Sequence, residues 1–457
     1  MSVVSWYAGL GRGRRRLLIA AAAAALLGAG TLVYLIGPAP MDFAGGRRVA
    51  LASYSAGDPT GVPAALANES LVKKGEYLAR AADCVECHTA KGGAEFAGGA
   101  PFVLPFGTLY STNITPDPRT GIGAYTDAEF LRAVRRGVRR DGARLYPAMT
   151  FASYRFLSDA DVLAIKAYLF SLAPVEAPGQ PNTLGFPFNQ RWAIGAWGML
   201  FAPDRRFEPN AERSAEWNRG AYLAEALGHC GECHTPRNFA FALDNRRKFG
   251  GADTAGWRAY NISADRATGI GAWEDAAVLA YLHTGHAAGH GTAGGPMAEA
   301  IDAGLRHLTS GDLEALITYV RSVPATVERD SAPIVSQAAS ASHRDGTNAD
   351  DRGKQIYAGA CASCHGWSGE SPLAAMATLT GARAVNDVNG RNVAQTIIHG
   401  SHRDALAGGL EMPAFGDAYS DSEIAAVTNY VTGRFGAQAA RLGEMDVAQL
   451  REESGSP

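Results

Sequence analysis

The sequence predicts a mainly α-helical chain of three tandem domains behind an N-terminal transmembrane helix. Three observations carry this prediction. A five-residue pattern, C-x-x-C-H, occurs three times at wide intervals along the 457 residues. A helix-like segment precedes each copy, and another helix-like segment follows further on. A long uncharged stretch lies near the N-terminus, behind a cluster of arginines. A chain of this length has room for about three domains of roughly 100–200 residues each.

The first predicted element is the uncharged stretch at residues 17–37. It is long enough to cross the bilayer core as a helix, which takes about 20 apolar residues. Four arginines within residues 12–16 place the N-terminal 1–16 in the cytoplasm and the rest on the periplasmic side of a bacterial inner membrane. A cleaved signal peptide is the alternative, but its apolar region usually has about 7–15 residues. We predict an uncleaved single anchor, followed by a linker at 38–70.

The repeated pattern accounts for all six cysteines of the chain. The three copies are Cys84, Cys87 and His88; Cys230, Cys233 and His234; and Cys361, Cys364 and His365. C-x-x-C-H is the attachment pattern of c-type haem, in which both thiols bind one haem covalently and the adjacent histidine binds the iron. The alternatives are a redox dithiol, which three copies of the pattern disfavour, and zinc, but a Cys2His2 site places two histidines well after the cysteine pair. The pattern therefore predicts three covalently bound c-type haems and leaves no cysteine for a disulfide or a catalytic thiol.

The helices of the three predicted domains share a common pattern. The opening helix of each carries a glycine at a corresponding place, namely Gly75, Gly220 and Gly353. The closing helix begins with a capping pattern: Ser158 with Asp161, Thr309 with Asp312, and Ser420 with Glu423. A tyrosine follows each cap in the same register: Tyr168, Tyr319 and Tyr430. A helical glycine costs about 1 kcal/mol relative to alanine, so its recurrence predicts a close crossing of opening and closing helices. We place the domains at 71–177, 213–326 and 348–436.

A methionine is the predicted second axial ligand of each haem iron. Met149, Met297 and Met412 each lie shortly before the closing helix of their domain. A methionine is usually a core residue, but here the shared position and the scarcity of rivals favour a ligand. Met376 lies too near the third motif, and Met445 lies beyond the last helix. Alternative ligands are His283, His286 and His290 in the second domain, and His399 and His402 in the third. His/Met ligation raises the reduction potential relative to two histidines.

Four further segments leave alternatives open. Residues 113–125 and 261–273 repeat a sequence that the third domain lacks, so domains 1 and 2 are a duplicated pair. This repeat is either a loop whose Asn and Thr side chains bind a haem propionate or a Gly-rich structural turn. Six arginines within 132–144 form a solvated surface, offset the charge of haem propionates, or dock an acidic partner. The connector at 178–212 is apolar enough to contact a partner or the membrane, or it packs between domains. Residues 327–347 are a polar linker, and the tail at 437–457 carries no recognisable chemistry.

Together these features resemble the three-haem cytochrome c subunits of bacterial membrane-bound dehydrogenases. The resemblance covers about residues 70–436 and rests on GTLYSTNITPD, YPAM, HCGECHTPRN, GPMAEAI and EMPAFGDAYSD. It implies three tandem cytochrome c-type domains that pass electrons from a catalytic subunit to ubiquinone or another respiratory acceptor, such as a downstream oxidase. Members serve alcohol, gluconate, fructose, sorbitol and aldehyde dehydrogenases. The catalytic subunit is a quinoprotein, a flavoprotein, or a molybdopterin protein with an iron–sulfur small subunit.

The chain departs from many of these proteins in one respect. They associate with the membrane through C-terminal segments, whereas this chain has an apolar N-terminal stretch. The departure resembles the cytochrome subunit of molybdopterin-type aldehyde dehydrogenases, so we expect an aldehyde dehydrogenase as the partner. The alternatives are a quinoprotein alcohol dehydrogenase, a flavoprotein gluconate or sugar dehydrogenase, and a free-standing membrane-anchored carrier. A haem enzyme needs an open coordination position, which an available methionine for each haem disfavours. The net charge of −3 does not indicate nucleic-acid binding. We also expect no catalytic site in this chain.

Overall fold

The computed structural model of the chain describes residues 11–327, 351–401 and 411–454. Within these residues the fold is mainly α-helical, as the sequence predicts, with three short antiparallel hairpins. The linker predicted at 327–347 lies outside the described residues except for its first residue, and so does His402. The mainly helical class therefore holds for all three haem-motif regions.

The N-terminal helix α1 spans Arg12–Ile36 and has no buried residue. It starts before the predicted 17–37 because the arginines, which are good helix formers, extend it. At 1.5 Å per residue its 25 residues are about 37 Å long, enough to cross the hydrocarbon core of a bilayer. In the described part of the chain it is the one helix whose length and mean hydropathy of 2.1 suit a membrane span. The structure thus agrees with an N-terminal membrane anchor.

Domain 1 has an opening and a closing helix that pack against each other. Its elements are α2 (Leu71–Ala81), α3 (Cys84–Cys87), β1 (Pro101–Leu104), β2 (Gly107–Tyr110), α4 (Asp127–Arg136), α5 (Phe151–Tyr154) and α6 (Asp159–Phe170). The side chain of Ser70 caps α2, and the side chain of Ser158 caps α6 by accepting from the backbone N–H of Asp161. The connector that follows contains α7 (Arg191–Phe201).

Domain 2 repeats this arrangement. Its elements are α8 (Ala215–Tyr222), a π-helical turn at Leu223–Leu227, α9 (Gly231–His234), β3 (Ala252–Thr254), β4 (Trp257–Ala259), α10 (Asp275–Thr284), β5 (His286–Ala287), β6 (Gly291–Thr292), α11 (Gly295–Ala303) and α12 (Ser310–Ser322). Helices α8 and α12 pack as α2 and α6 do in domain 1. This correspondence supports the duplication inferred from the sequence.

Domain 3 is smaller and has an additional helix at its end. Its elements are α13 (Asp351–Ile356), a π-helical turn at Tyr357–Cys361, α14 (Ala362–His365), α15 (Arg391–His399), α16 (Asp421–Phe435) and α17 (Glu444–Glu453). Helix α17 lies in the predicted tail, where Val447 and Leu450 are buried in the core of this domain. The tail is therefore structural rather than a free extension.

The recurrent glycines mark the helix crossings, as the sequence predicts. A Cβ atom added at Gly75 would lie 1.9 Å from the carbonyl oxygen of Ala164 and 2.9 Å from the Cβ of Tyr168. The same oxygen distance is 1.9 Å for Gly220 and 2.3 Å for Gly353, and their neighbours include Tyr319 and Tyr430. Only glycine allows the two backbones to approach this closely, so each crossing is fixed by its glycine and tyrosine.

Domains 1 and 2 share one large hydrophobic core, whereas domain 3 has its own. The hydroxyl of Tyr77 donates a hydrogen bond of 2.6 Å to Asp312, across to domain 2. The hydroxyl of Tyr222 donates one of 2.5 Å to Asp161, across to domain 1. Both aspartates are cap-region residues of closing helices, and both are almost fully buried. The first two predicted domains therefore form one folding unit, tied together by reciprocal tyrosine–aspartate contacts.

Candidate haem sites

The three motif histidines have the same environment. Each Nδ1 lies within hydrogen-bond distance of a backbone carbonyl oxygen: His88 to Thr112 at 2.6 Å, His234 to Tyr260 at 2.7 Å, and His365 to Ala377 at 2.6 Å. A carbonyl can only accept, so Nδ1 carries the proton. Burial lowers the pKa of all three rings and favours the neutral form. Nε2 is then left with its lone pair, the arrangement that a metal-binding histidine requires.

The cysteine pairs lie beside these histidines on single helical turns. Positions i and i+3 of a turn share a face, so both thiols of a pair point to the same side. Burial raises the pKa of Cys84, Cys87 and Cys230 to about 12. It raises the pKa of Cys233 and Cys361 to about 11. As free thiols these groups are neutral and poor nucleophiles, which disfavours a redox dithiol and suits a thioether linkage to haem.

One large cavity lies at the second motif and reaches the first. Its volume is about 3310 Å³, and its wall includes Cys87, Cys230, Cys233, His234 and Met297. A small-molecule pocket usually has about 300–1,000 Å³, so this space suits more than one large group. Domain 3 adds Arg383, Asn392 and His399 to the wall. As far as the described residues show, the wall includes neither Met149 nor Met412.

The candidate methionines are partly buried and pack on apolar cores. Met149 contacts the core shared by domains 1 and 2, and Met297 lies in the first turn of α11 beside a small apolar cluster. Met412 packs on the core of domain 3 and pairs through its backbone with Ser401. By contrast, Met445 is 86% exposed. The three candidates thus share partial burial against an apolar cluster, which suits either an axial thioether or a packing role.

The alternative histidines have contacts of other kinds. His286 Nδ1 lies 2.9 Å from the hydroxyl of Thr292, and the ring of His290 stacks on Trp273 with centroids 3.9 Å apart. His399 Nε2 lies 3.0 Å from the hydroxyl of Ser454. His283 lies in the last turn of α10. Nε2 of His399 is thus engaged by Ser454, whereas the contacts of His286 and His290 do not decide between these histidines and Met297 as the iron ligand.

The repeated loop of domains 1 and 2 satisfies its own polar groups. Asn113 donates to Thr120 and to the carbonyl of Val175, and its oxygen accepts from Thr115. Asn261 makes the equivalent bonds to Thr268, Thr326 and Ser263. Because both asparagines are buried and fully engaged, the structure favours the structural turn over propionate binding.

The arginine-rich segment is also partly structural. Arg135 is buried, bonds to the carbonyl of Leu157 and pairs with Asp159. Arg140 and Arg139 pair with acidic neighbours near the surface. The guanidinium of Arg144 packs against α7, since a Cβ atom added at Gly195 would lie within about 4 Å of it. The segment is therefore not a uniformly solvated face.

Two features of the site have no sequence signal. Tyr260, whose carbonyl accepts from His234, also donates its hydroxyl to Asp387 at 3.2 Å, and Arg383 lies 4.6 Å above its ring. Asp387 and Arg383 belong to domain 3, so that domain holds the residue that orients the second motif histidine. In addition, burial and nearby carboxylates raise the pKa of Asp83 and Glu86 to about 7 at the cavity wall. Both features depend on burial and on residues distant in the chain, such as Asp387 for Tyr260 and Glu299 for Asp83 and Glu86, so local patterns do not predict them.

Comparison with known protein families matches cytochrome models to two segments of the chain. A family model described as "Cytochrome c" matches residues 72–173, and one described as "Cytochrome C oxidase, cbb3-type, subunit III" matches residues 348–431. The chain is 38% identical over 414 residues to the fructose dehydrogenase cytochrome subunit of Gluconobacter japonicus, covering 86% of this chain and 85% of that protein.

Two other relatives are similar over the same extent. The gluconate 2-dehydrogenase cytochrome c subunit of Pantoea cypripedii is 38% identical over 409 residues, covering 85% of this chain and 91% of that protein. The cytochrome c subunit of the quinone-dependent alcohol dehydrogenase of Gluconacetobacter polyoxogenes is 35% identical over 404 residues, covering 86% of both chains. The similarity therefore extends over nearly the whole of each relative.

Proposed function

The chain belongs to the family of cytochrome c subunits of bacterial dehydrogenases, and from this membership we propose that it carries three c-type haems in electron transfer from a catalytic subunit. The observation that carries the number three is the common environment of His88, His234 and His365, each with Nδ1 at a backbone carbonyl. All three histidines thus have Nε2 available to bind iron, which supports three metal centres rather than fewer.

We assign each residue set a role in this proposal. The cysteine pairs Cys84/Cys87, Cys230/Cys233 and Cys361/Cys364 hold the haems through thioether bonds. His88, His234 and His365 are the proximal ligands, and Met149, Met297 and Met412 are the distal ligands. A bound c-type haem supplies reversible one-electron transfer. The chain's own contribution is to orient the histidines through the three carbonyls and to exclude water from the thioether side, both of which tune the reduction potential.

The haem number is tested by replacing one cysteine pair at a time with alanine. The wild-type chain should contain three haems by intact mass and by haem extraction. Cys84→Ala/Cys87→Ala, and each equivalent double variant, should lose one haem and keep two. A wild-type chain with two haems, or a double variant that keeps all three, would contradict the assignment.

The partner is proposed to be a dehydrogenase that oxidises an alcohol or a sugar hydroxyl. The names of the three relatives support this proposal, since they are subunits of fructose, gluconate and alcohol dehydrogenases. An aldehyde dehydrogenase, which the N-terminal anchor led us to expect, is the second candidate. Purification of the tagged chain from its native membranes, with extraction of bound cofactors, separates them. A quinoprotein or flavoprotein supports the first, and a molybdopterin protein with an iron–sulfur subunit supports the second. A chain that purifies alone would favour a free-standing carrier.

We further propose that α1 anchors the chain in the bacterial inner membrane, with the haem domains in the periplasm and ubiquinone or a downstream oxidase as the acceptor. The four arginines before the apolar part of α1 support this orientation. The cavity supports a membrane-soluble acceptor, because its wall includes Phe106, Phe188 and Phe239, and Asn238 next to Phe239 donates to Leu35 at the end of α1. Protease protection in oriented membrane vesicles would test the orientation, and reduction of ubiquinone by the reduced complex would test the acceptor.

A further inference from the structure

Helix α7 in the connector is apolar on all sides. Its one charged residue is Arg191 at the first position. Trp197 points inward, since its Nε1 donates to the carbonyl of Ala240 and its ring contacts Phe151. The opposite face is also apolar, with Trp192 77% exposed and Met199 76% exposed. A helix that faces water carries polar residues on its outer side, so this outer face is built to be covered.

The exposed face of α7 continues into a neighbouring loop. Phe239 is 75% exposed, and Phe241 and Phe186 are also exposed. The rings of Phe106 and Phe188 stack with centroids 3.9 Å apart, and Phe241 packs edge-on against both. We call the set Phe186, Trp192, Met199, Phe239 and Phe241 the aromatic face. Large apolar side chains gathered in this way mark an interaction surface.

The loop of the aromatic face is hydrogen-bonded to the end of the membrane anchor. Asn238 donates to the carbonyl of Leu35 at 2.9 Å, and Arg246 donates to that of Tyr34 at 2.6 Å. The guanidinium of Arg246 also lies 4.1 Å above the ring of Tyr34. Phe239 and Phe241 lie between these two anchoring positions in the chain. The aromatic face therefore begins where the apolar helix leaves the bilayer.

We propose that the aromatic face lies in the interfacial layer of the same bilayer that α1 crosses, as a second membrane contact. This inference rests on the proposed insertion of α1. The side chains suit that layer, where aromatic and aliphatic groups enter the boundary between headgroups and acyl chains. Arg191 and Arg144 lie at the edge of α7, where guanidinium groups meet lipid phosphates. The part of the cavity wall that Phe188 and Trp197 form then lies on the membrane side.

The first test uses the full chain in nanodiscs of phosphatidylethanolamine and phosphatidylglycerol with a photoreactive acyl chain. After illumination, mass spectrometry should find lipid adducts in α1, in residues 186–201 and in residues 239–241. Adducts in α1 alone would overturn the inference and leave the anchor intact. Adducts in neither region would overturn both the anchor and the inference, so the two failures are distinguishable. Co-purification of the dehydrogenase partner is a separate measurement and does not depend on this result.

The second test introduces single cysteines, because the native cysteines are committed to haem in the proposed function. Met199→Cys and Phe239→Cys probe the aromatic face, and Leu373→Cys is the matched control on domain 3, where Leu373 is 58% exposed. Haem spectra confirm that each variant is folded. In nanodiscs, a charged maleimide should label the two probes about tenfold more slowly than the control, since a charged reagent enters an apolar layer poorly.

Two results of the labelling test would overturn the proposal. Equal rates at probes and control in nanodiscs show a face in water. Slow labelling that appears only when the catalytic subunit is added, or only at high concentration of the chain, assigns the aromatic face to a protein partner or to a second copy instead of lipid.

Discussion

Each candidate haem site combines a histidine that a backbone carbonyl orients with a methionine that lies far from it in the chain. The histidine is oriented by one carbonyl, which comes from a loop further along the chain: Thr112, Tyr260 and Ala377. The methionine comes from a segment just before the closing helix. In the proposed ligand assignment, replacing the methionine should therefore change the potential of that haem directly.

The role of Met412 can be tested by Met412→His. Two histidine ligands stabilise the oxidised iron more than histidine and methionine do, so one of the three potentials should fall by on the order of 0.1 V or more. A spectroelectrochemical titration measures the three potentials. Met445→Ala is the control, since this exposed side chain should leave all three unchanged. A potential that does not move in Met412→His would show that Met412 is not a ligand.

The sequence predicts the cysteines and histidines of the site because they lie within five consecutive residues. It does not predict Tyr260, Arg383 or Asp387, whose contacts join two domains. It also leaves the role of Asn113 undecided, since a buried asparagine and one that binds a ligand have the same local sequence. Burial decides between them, and burial depends on the packing of the whole molecule.

At the scale of elements, the helix crossings are predictable and the caps are only partly so. The glycine and tyrosine recur in register, so the sequence alone indicates the contact. The capping box is complete at Ser420 and Glu423, where the side chain of Glu423 reaches back to the backbone of Ser420. In domains 1 and 2 the corresponding Asp161 and Asp312 bond to tyrosines of the other domain. Asp161 and Asp312, which are shorter than the glutamate of a complete capping box, thus accept hydrogen bonds from the other domain. No sequence pattern within one domain reveals this contact.

The crossing in domain 3 can be tested by Gly353→Ala. A Cβ there would lie 2.3 Å from the carbonyl oxygen of Ala426, so the helices must move apart, at a cost of about 1–3 kcal/mol. Gly359→Ala in the same domain is the control, because a Cβ at Gly359 meets nothing within 4 Å. Thermal unfolding followed by circular dichroism should show a lower transition for Gly353→Ala alone. Equal effects of both substitutions would argue against the close crossing.

The described residues of the molecule form two large cores, one for domains 1 and 2 together and one for domain 3, besides the small cluster at Met297. The sequence predicts three similar domains, and it indicates that the first two are more alike, but a shared core follows only from their packing. Domain 3 contacts domain 2 through polar groups, such as the bonds of Asn392 to the backbone of Arg258. We therefore expect two unfolding transitions rather than three.

The joint unfolding of domains 1 and 2 is tested by Tyr77→Phe combined with Tyr222→Phe. Each hydroxyl donates to a buried carboxylate, and a hydrogen bond to a charged group contributes about 1.5–3 kcal/mol. Calorimetry should show that the double variant lowers one transition and leaves the other in place. Tyr357→Phe is the control, since its hydroxyl donates within domain 3 to Gly366. If both variants lowered the same transition, the two-core description would be wrong.

The reciprocal contact of domains 1 and 2 has the form of an isologous dimer interface enclosed in one chain. In a two-fold symmetric dimer, each substitution acts twice, once in each subunit. In the fused chain the two halves are free to differ, and they do: Asp312 also pairs with Arg219, whereas Asp161 also accepts from the backbone of Gly61. The interface thus keeps an approximate two-fold relation, while the two halves differ in their other contacts. Fusion fixes the relation between the first two haem sites at any protein concentration, which a dissociable dimer could not do.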